Sequence, residues 1–303
     1  MQVYLPIAEM AVTGESILLL GAVVGFLGGV FGVGGGFLTT PFLIFMGIPP
    51  SIAVGTQSAQ LVASSVTGVL GHFRRGNVDV RMAAVMLGGG MAGSLAGIGL
   101  FKLLTYLGQV DLFISLSYVF LLGLIGIMML MESLRAVFFK RHQVGEFDAM
   151  SQQPFFKNLP YKMRFPKSRL YISVFIPAGV GFIGGVLTAS LGIGGGFILV
   201  PAMIYIIGMP SLFVPGTSLL QIIFVASFAC LVHAVANHTV DILLALMLMT
   251  GGVVGAQAGV RFTKYIRGAP ARIILALLIV GVSFRLAADL FLPPLDIFTT
   301  VVR

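Results

Sequence analysis

The chain is written twice. Gly34-Gly35-Gly36-Phe37, followed by Pro41, returns 160 residues later as Gly194-Gly195-Gly196-Phe197 followed by Pro201. The offset becomes 161 for Gly47 and Gly208, Pro49 and Pro210, Gly55-Thr56 and Gly216-Thr217, Gln60 and Gln221, and His72 and His233. By Asp79 and Asp241 it is 162, and it stays so for Gly90, Gly93 and Gly97 against Gly252, Gly255 and Gly259. Small slips at loops are what a duplicated unit accumulates. Chance does not keep so many Gly, Pro, Thr, Gln and His positions in order.

The duplicated unit belongs in a membrane. Hydrophobic residues make up 58% of the chain and charged residues 9%, against roughly 25% charged in soluble domains. Mean hydropathy is +1.07, too high for a fold that must cover its surface with polar groups. The pattern predicts five apolar segments in the first copy, near 17–32, 35–48, 54–72, 80–104 and 112–136. Those of the second lie near 171–192, 195–208, 215–234, 240–261 and 272–292. An odd number of spans per copy forces the second copy to enter upside down, a recurring transporter architecture. The expected fold is an all-α integral membrane protein of two inverted-topology repeats, 1–136 and 171–303, with about ten segments. A basic connector at 137–170 joins them. The short second segment of each copy, about 14 residues or ~21 Å of helix, either spans or turns back as a re-entrant hairpin.

Charge sets the orientation. With the N-terminus outside, the loops after segments three, five and nine face the cytoplasm and hold 15 of the 18 Lys and Arg residues. Only Lys102, Arg285 and Arg303 fall elsewhere. The positive-inside rule therefore places both termini outside and the connector in the cytoplasm. The net charge of +8 reads as orientation rather than as a nucleic-acid footprint. No basic residue stands in the first twenty, so a cleaved signal peptide is not expected. Cys230 is the one cysteine, which leaves no intrachain disulfide, and no metal or cofactor is expected.

Chemistry is expected where the two copies interrupt their helices. Gly34, Gly35 and Gly36, with Gly194, Gly195 and Gly196, let the backbone turn and open a helix whose first N–H groups and positive dipole end suit an anion. Close helix packing explains the same glycines in membranes, and it accounts for Gly88–Gly90, Gly93 and Gly97. Thr56, Gln57 and Gln60 match Thr217, Ser218 and Gln221 by position and offer neutral donors. The threonines serve equally as helix caps, and the glutamines equally as interhelical glue. His72, His233 and Arg285 are the candidates for proton or charge coupling. For Arg285 an ion pair with Asp289, four residues on, is the competing expectation.

These residues resemble the sulfite exporter TauE/SafE family, also known as the sulfonate-uptake permease family. The likeness rests on Gly32-Val33-Gly34-Gly35-Gly36-Phe37 and Gly192-Ile193-Gly194-Gly195-Gly196-Phe197, each with its following proline, and on Gly55-Thr56 and Gly216-Thr217-Ser218. Gln57 departs from the serine usual in the family pattern. The resemblance implies a bacterial-type plasma-membrane transporter of sulfite, sulfonates or related anions, without fixing substrate or direction.

A secondary anion carrier is thus the leading expectation, with a small anion and the lipid bilayer as partners. An anion channel is the alternative, although no ring of charges or filter-like carbonyl run stands out. An intramembrane enzyme lacks its machinery: Ser218 and His233 are fifteen residues apart on one segment, and no G-x-S-x-G or H-E-x-x-H pattern occurs. The sequence allows a homodimer without requiring one.

Overall fold

The computed structural model describes residues 2–31, 34–138, 160–262 and 269–291. The middle of the connector, the C-terminal tail and Gly32-Val33 lie outside the described residues, as do Lys264 and Arg267 of the third basic loop. Each half begins with a β-hairpin and continues through five helices. In the first half β1 (Gln2–Leu5) pairs antiparallel with β2 (Met10–Thr13), and then come α1 (Gly14–Phe31), α2 (Gly36–Phe45), α3 (Pro50–Arg74), α4 (Val80–Tyr106) and α5 (Val110–Phe138). In the second β3 (Lys162–Phe165) pairs with β4 (Leu170–Ser173), followed by α6 (Phe175–Leu191), α7 (Gly196–Tyr205), α8 (Val214–Val232), α9 (Ile242–Phe262) and α10 (Ala269–Phe291). A π-helical turn, His233–Asn237, closes α8.

The hairpins correct the all-α expectation. Four-residue strands with one buried residue at the turn, Leu5 and Phe165, are too short to announce themselves by alternation. The second hairpin also runs across the boundary expected at residue 170.

Among the described residues, six helices have the length and apolarity to cross a membrane: α1, α4, α5, α8 with its π turn, α9 and α10. The α2 and α7 helices run only ten residues, ~15 Å of helix, half of the roughly 30 Å hydrocarbon layer. They are shorter than expected because each opens on two positive-φ glycines and reaches another, Gly47 or Gly208, soon after its end. The 25-residue α3 is less apolar because it carries Gln57, Ser58, Gln60, Ser64 and Ser65, all buried.

The two halves interlock. Each half's first helix packs along the other half's fourth, α1 on α9 and α6 on α4. The contact is backbone on backbone. A side chain at Gly25 would overlap the Gly252 carbonyl, and one at Gly29 would meet the Ala256 carbonyl at 2.6 Å. Likewise Gly181 and Gly185 lie on the Met86 and Gly90 carbonyls, and Gly89 and Gly93 on those of Ala178 and Phe182. Small residues permit this approach where lipid gives apolar side chains no drive to associate. The packing role expected for Gly89, Gly90, Gly93 and Gly97 is what the structure shows, whereas nothing lies within 4 Å of a Cβ placed on Gly88. The α5 and α10 helices pair with each other, and α3 packs on α8.

Candidate functional site

The glycine runs make two turns that meet. Gly34 and Gly35 take φ of +81° and +82°, and Gly194 and Gly195 take +74° and +64°. Two consecutive left-handed residues are accessible to glycine and strained for any other residue. These turns aim α2 and α7 so that their first residues face each other. The rings of Phe37 and Phe197 stack with centroids 4.6 Å apart. A Cβ on Gly36 would lie 2.8 Å from the Gly192 carbonyl oxygen. A helix leaves its first N–H groups without intrahelical partners, so two positive helix ends converge here.

Polar side chains of α3 line this junction. Gln57 is fully buried and neither of its amide atoms has a hydrogen-bond partner; its Nε2 lies 3.0 Å from the Cβ position of Gly36. The Ser65 hydroxyl, also buried and unpartnered, lies 3.5 Å from that of Gly34, while Ser64 donates to the Gly34 carbonyl at 3.2 Å. An unsatisfied buried amide or hydroxyl costs about 1–3 kcal/mol, and two such side chains, Gln57 and Ser65, stand together at the opening of α2.

Leu61 sits in the middle. Its Cδ2 approaches the Cβ positions of Gly34, Gly36 and Gly194 to 3.3, 2.9 and 2.7 Å, and its repeat counterpart Ile222 approaches that of Gly34 to 3.7 Å. Both are buried. Sequence reading missed this pair, since a leucine in an apolar helix carries no signal of its own.

Gln60 and Gln221 point elsewhere. Their Nε2 atoms lie 3.2 and 2.9 Å from the Cβ positions of Gly252 and Gly90, on the fourth helices, and each Oε1 is buried without a partner. Thr56 and Thr217 are committed to the backbone of the opposite half. The Thr56 hydroxyl accepts the Asp241 N–H at 3.0 Å, and the Thr217 hydroxyl accepts the Asp79 N–H at the same distance. Each aspartate then completes a knot. Asp79 Oδ1 caps α4 through the Met82 N–H, and its Oδ2 accepts from the amide and hydroxyl of Ser168 in the second hairpin. Asp241 Oδ1 accepts the N–H groups of Leu243 and Leu244 at the head of α9, and Oδ2 accepts that of Ile7 in the first hairpin. Ser218, the counterpart of Gln57, is buried and donates to the Pro215 carbonyl at 3.0 Å.

The coupling candidates lie apart from the junction. His233 is satisfied as a neutral ring, with Nε2 donating to the Ala189 carbonyl at 2.8 Å and Nδ1 accepting from Asn237 at 2.9 Å. His72 lies in the last turn of α3 and is buried. Arg285 holds its guanidinium over the Phe45 ring, 5.0 Å from the centroid. That contact, rather than the expected Asp289 carboxylate, is its partner among the described residues, because α10 brings this position against the end of α2.

Long apolar helices bundled backbone to backbone define a multi-pass helical membrane protein. The chain belongs to the TauE/SafE sulfite exporter family, whose model matches residues 17–286, and it is a membrane transporter. It is 29% identical over 277 residues to the probable membrane transporter protein YjnA of Bacillus subtilis, covering 89% of this chain and 98% of that one. A probable membrane transporter protein of Xylella fastidiosa is 28% identical over 241 residues, with 79% and 80% covered. The Arabidopsis thaliana sulfite exporter TauE/SafE family protein 5 is 38% identical over 61 residues, 20% of this chain and 14% of that one. No solved structure matches the chain.

Proposed function

We propose that the protein is a secondary transporter that moves a small sulfur-containing anion, sulfite or a sulfonate, across the plasma membrane by alternating access. In this reading the ten helices are two inverted repeats of five, and α2 and α7 are half-helices that each reach the bilayer centre from one side. The observation that carries it is the meeting of two glycine-opened helix N-termini beside the unpartnered Gln57 amide. Converging dipole ends and neutral donors hold an anion without trapping it. Leu61 and Ile222 cover both turns, a barrier that suits a carrier better than an open channel.

The hairpins support the orientation. The stretch 162–173 carries Lys162, Arg164, Lys167 and Arg169, while its counterpart 2–13 carries no basic residue. The positive-inside rule puts the basic hairpin 162–173 in the cytoplasm and the hairpin 2–13 outside.

The test is flux in proteoliposomes of labelled sulfite and of several sulfonates, with and without an imposed pH gradient. Saturable movement of at least one of them, accelerated by unlabelled anion on the far side, is the expected result. Transport of a cation or neutral solute in place of these anions refutes the reading.

A further inference from the structure

We propose that a second anion site, separate from the glycine turns, lies at the end of the molecule where α4 stops and α5 begins, and that it takes an organic anion with an apolar body. A cleft of about 400 Å³ opens there among the start of α3, the end of α4, the start of α5 and the turn between α8 and α9. This is within the range of small-molecule sites and far larger than an inorganic oxyanion needs. It stands a whole α3 length from Arg74 and Arg75, ~35 Å along that helix.

The lining divides into two kinds. Phe101 and Val110 give an apolar wall, with Tyr106 at the rim. Lys102 supplies the one positive charge among the lining residues, and Asn237 and Thr239 supply neutral polar groups. The wall is fixed in advance: Phe101 meets His233 edge to face at 4.7 Å, and His233 is tied to Ala189 and Asn237. The Thr239 hydroxyl is buried against α3, 2.5 Å from the Cβ position of Gly55. The neighbouring carboxylate, Asp111, turns its Oδ1 to the Ser51 N–H at 3.0 Å. A cation beside an aromatic rim in one cleft fits an aryl or alkyl sulfonate or carboxylate, its charged end on Lys102 and its body along Val110 and Tyr106. As a capture point on the outer side, the site rests on the transport reading above; as a binding site it does not.

The chain contains no tryptophan, so Tyr106→Trp, at a position 89% exposed, puts a single reporter at the rim. Titration of that variant in nanodiscs with benzenesulfonate should change its emission saturably. Lys102→Gln in the same background should weaken binding about fivefold, the size of one partly screened charge, and Lys102→Arg should restore it. Sulfite should need a much higher concentration for the same change. No saturable response, or equal affinity in the Lys102→Gln protein, overturns the proposal. Flux measured separately on the unaltered protein decides the transport reading, so the two fail independently.

Discussion

Phe37 and Phe197 stack nearly parallel, 8° between ring planes, although 160 residues separate them in the chain. Each is the second residue of a ten-residue helix opened by a glycine turn. Their contact fixes the distance between the two helix openings. Offset-stacked rings contribute about 0.5–1.5 kcal/mol beyond their burial. Phe37→Leu with Phe197→Leu should leave a folded protein whose anion affinity falls, because the openings lose their spacing. Parallel measurement of flux KM and thermal unfolding in detergent checks it.

Gly35→Ala and Gly195→Ala should each be severe. A Cβ at Gly35 would lie 2.8 Å from the Val24 carbonyl oxygen, and one at Gly195 2.9 Å from that of Gly184. Left-handed backbone adds strain of about 1–3 kcal/mol for a non-glycine residue. Cys230 is the single thiol, so a thiol-reactive dye reads unfolding directly. Both variants should melt at lower temperature and lose flux.

Gln57→Leu should separate binding from stability. The amide has no partner to lose, so removing it is neutral or slightly stabilising. Anion KM should nonetheless rise about tenfold, a change of 1.4 kcal/mol, and Gln57→Glu should abolish flux by placing a negative charge at the openings. Unchanged KM in Gln57→Leu would remove this residue from the site.

Leu61→Ala should speed flux, most of all for the larger sulfonates, because it opens space beside three glycines of the two turns. It should also lower stability by about 2–5 kcal/mol, as large-to-small changes in packed interiors do. Initial rates for a series of alkylsulfonates of rising size check the first effect, and dye-monitored melting checks the second.

Thr56→Val and Thr217→Val should behave in the opposite way to Gln57→Leu. Each removes the acceptor for a buried aspartate N–H in the other half, at a cost of about 1–3 kcal/mol. Thermal stability should fall with KM little changed, and Thr56→Ser and Thr217→Ser should recover it. A large KM increase without loss of stability would return both hydroxyls to the site.

Legibility in the sequence followed the duplication. Residue types that appear twice at matched positions, the glycine turns and their phenylalanines above all, marked the junction, and the structure brings those turns together. The chain order could not tell which polar residue of α3 faces the junction. Gln57 and Gln60 are three residues apart, and only the rotation of the helix sends one toward Gly36 and the other toward Gly252. Thr56 and Thr217 read as ligands or caps, yet their partners, Asp241 and Asp79, lie 185 and 138 residues away. Asp79 and Asp241 were visible as a matched pair without any hint that each ties a hairpin of the opposite half. Arg285 pointed to Asp289 by helical spacing, while α2 offered an aromatic face that no periodicity announces.

The carbonyl-to-glycine seams between α1 and α9 and between α6 and α4 also govern biosynthesis. When residue 138 leaves the ribosome, α1 and α4 have bare backbone faces and nothing in their own half to cover them. Assembly must wait for the rest of the polypeptide, and the seams then close by insertion of later helices beside earlier ones. Each seam needs a helix from both halves, and two separately translated halves would complete it only by finding each other in the bilayer.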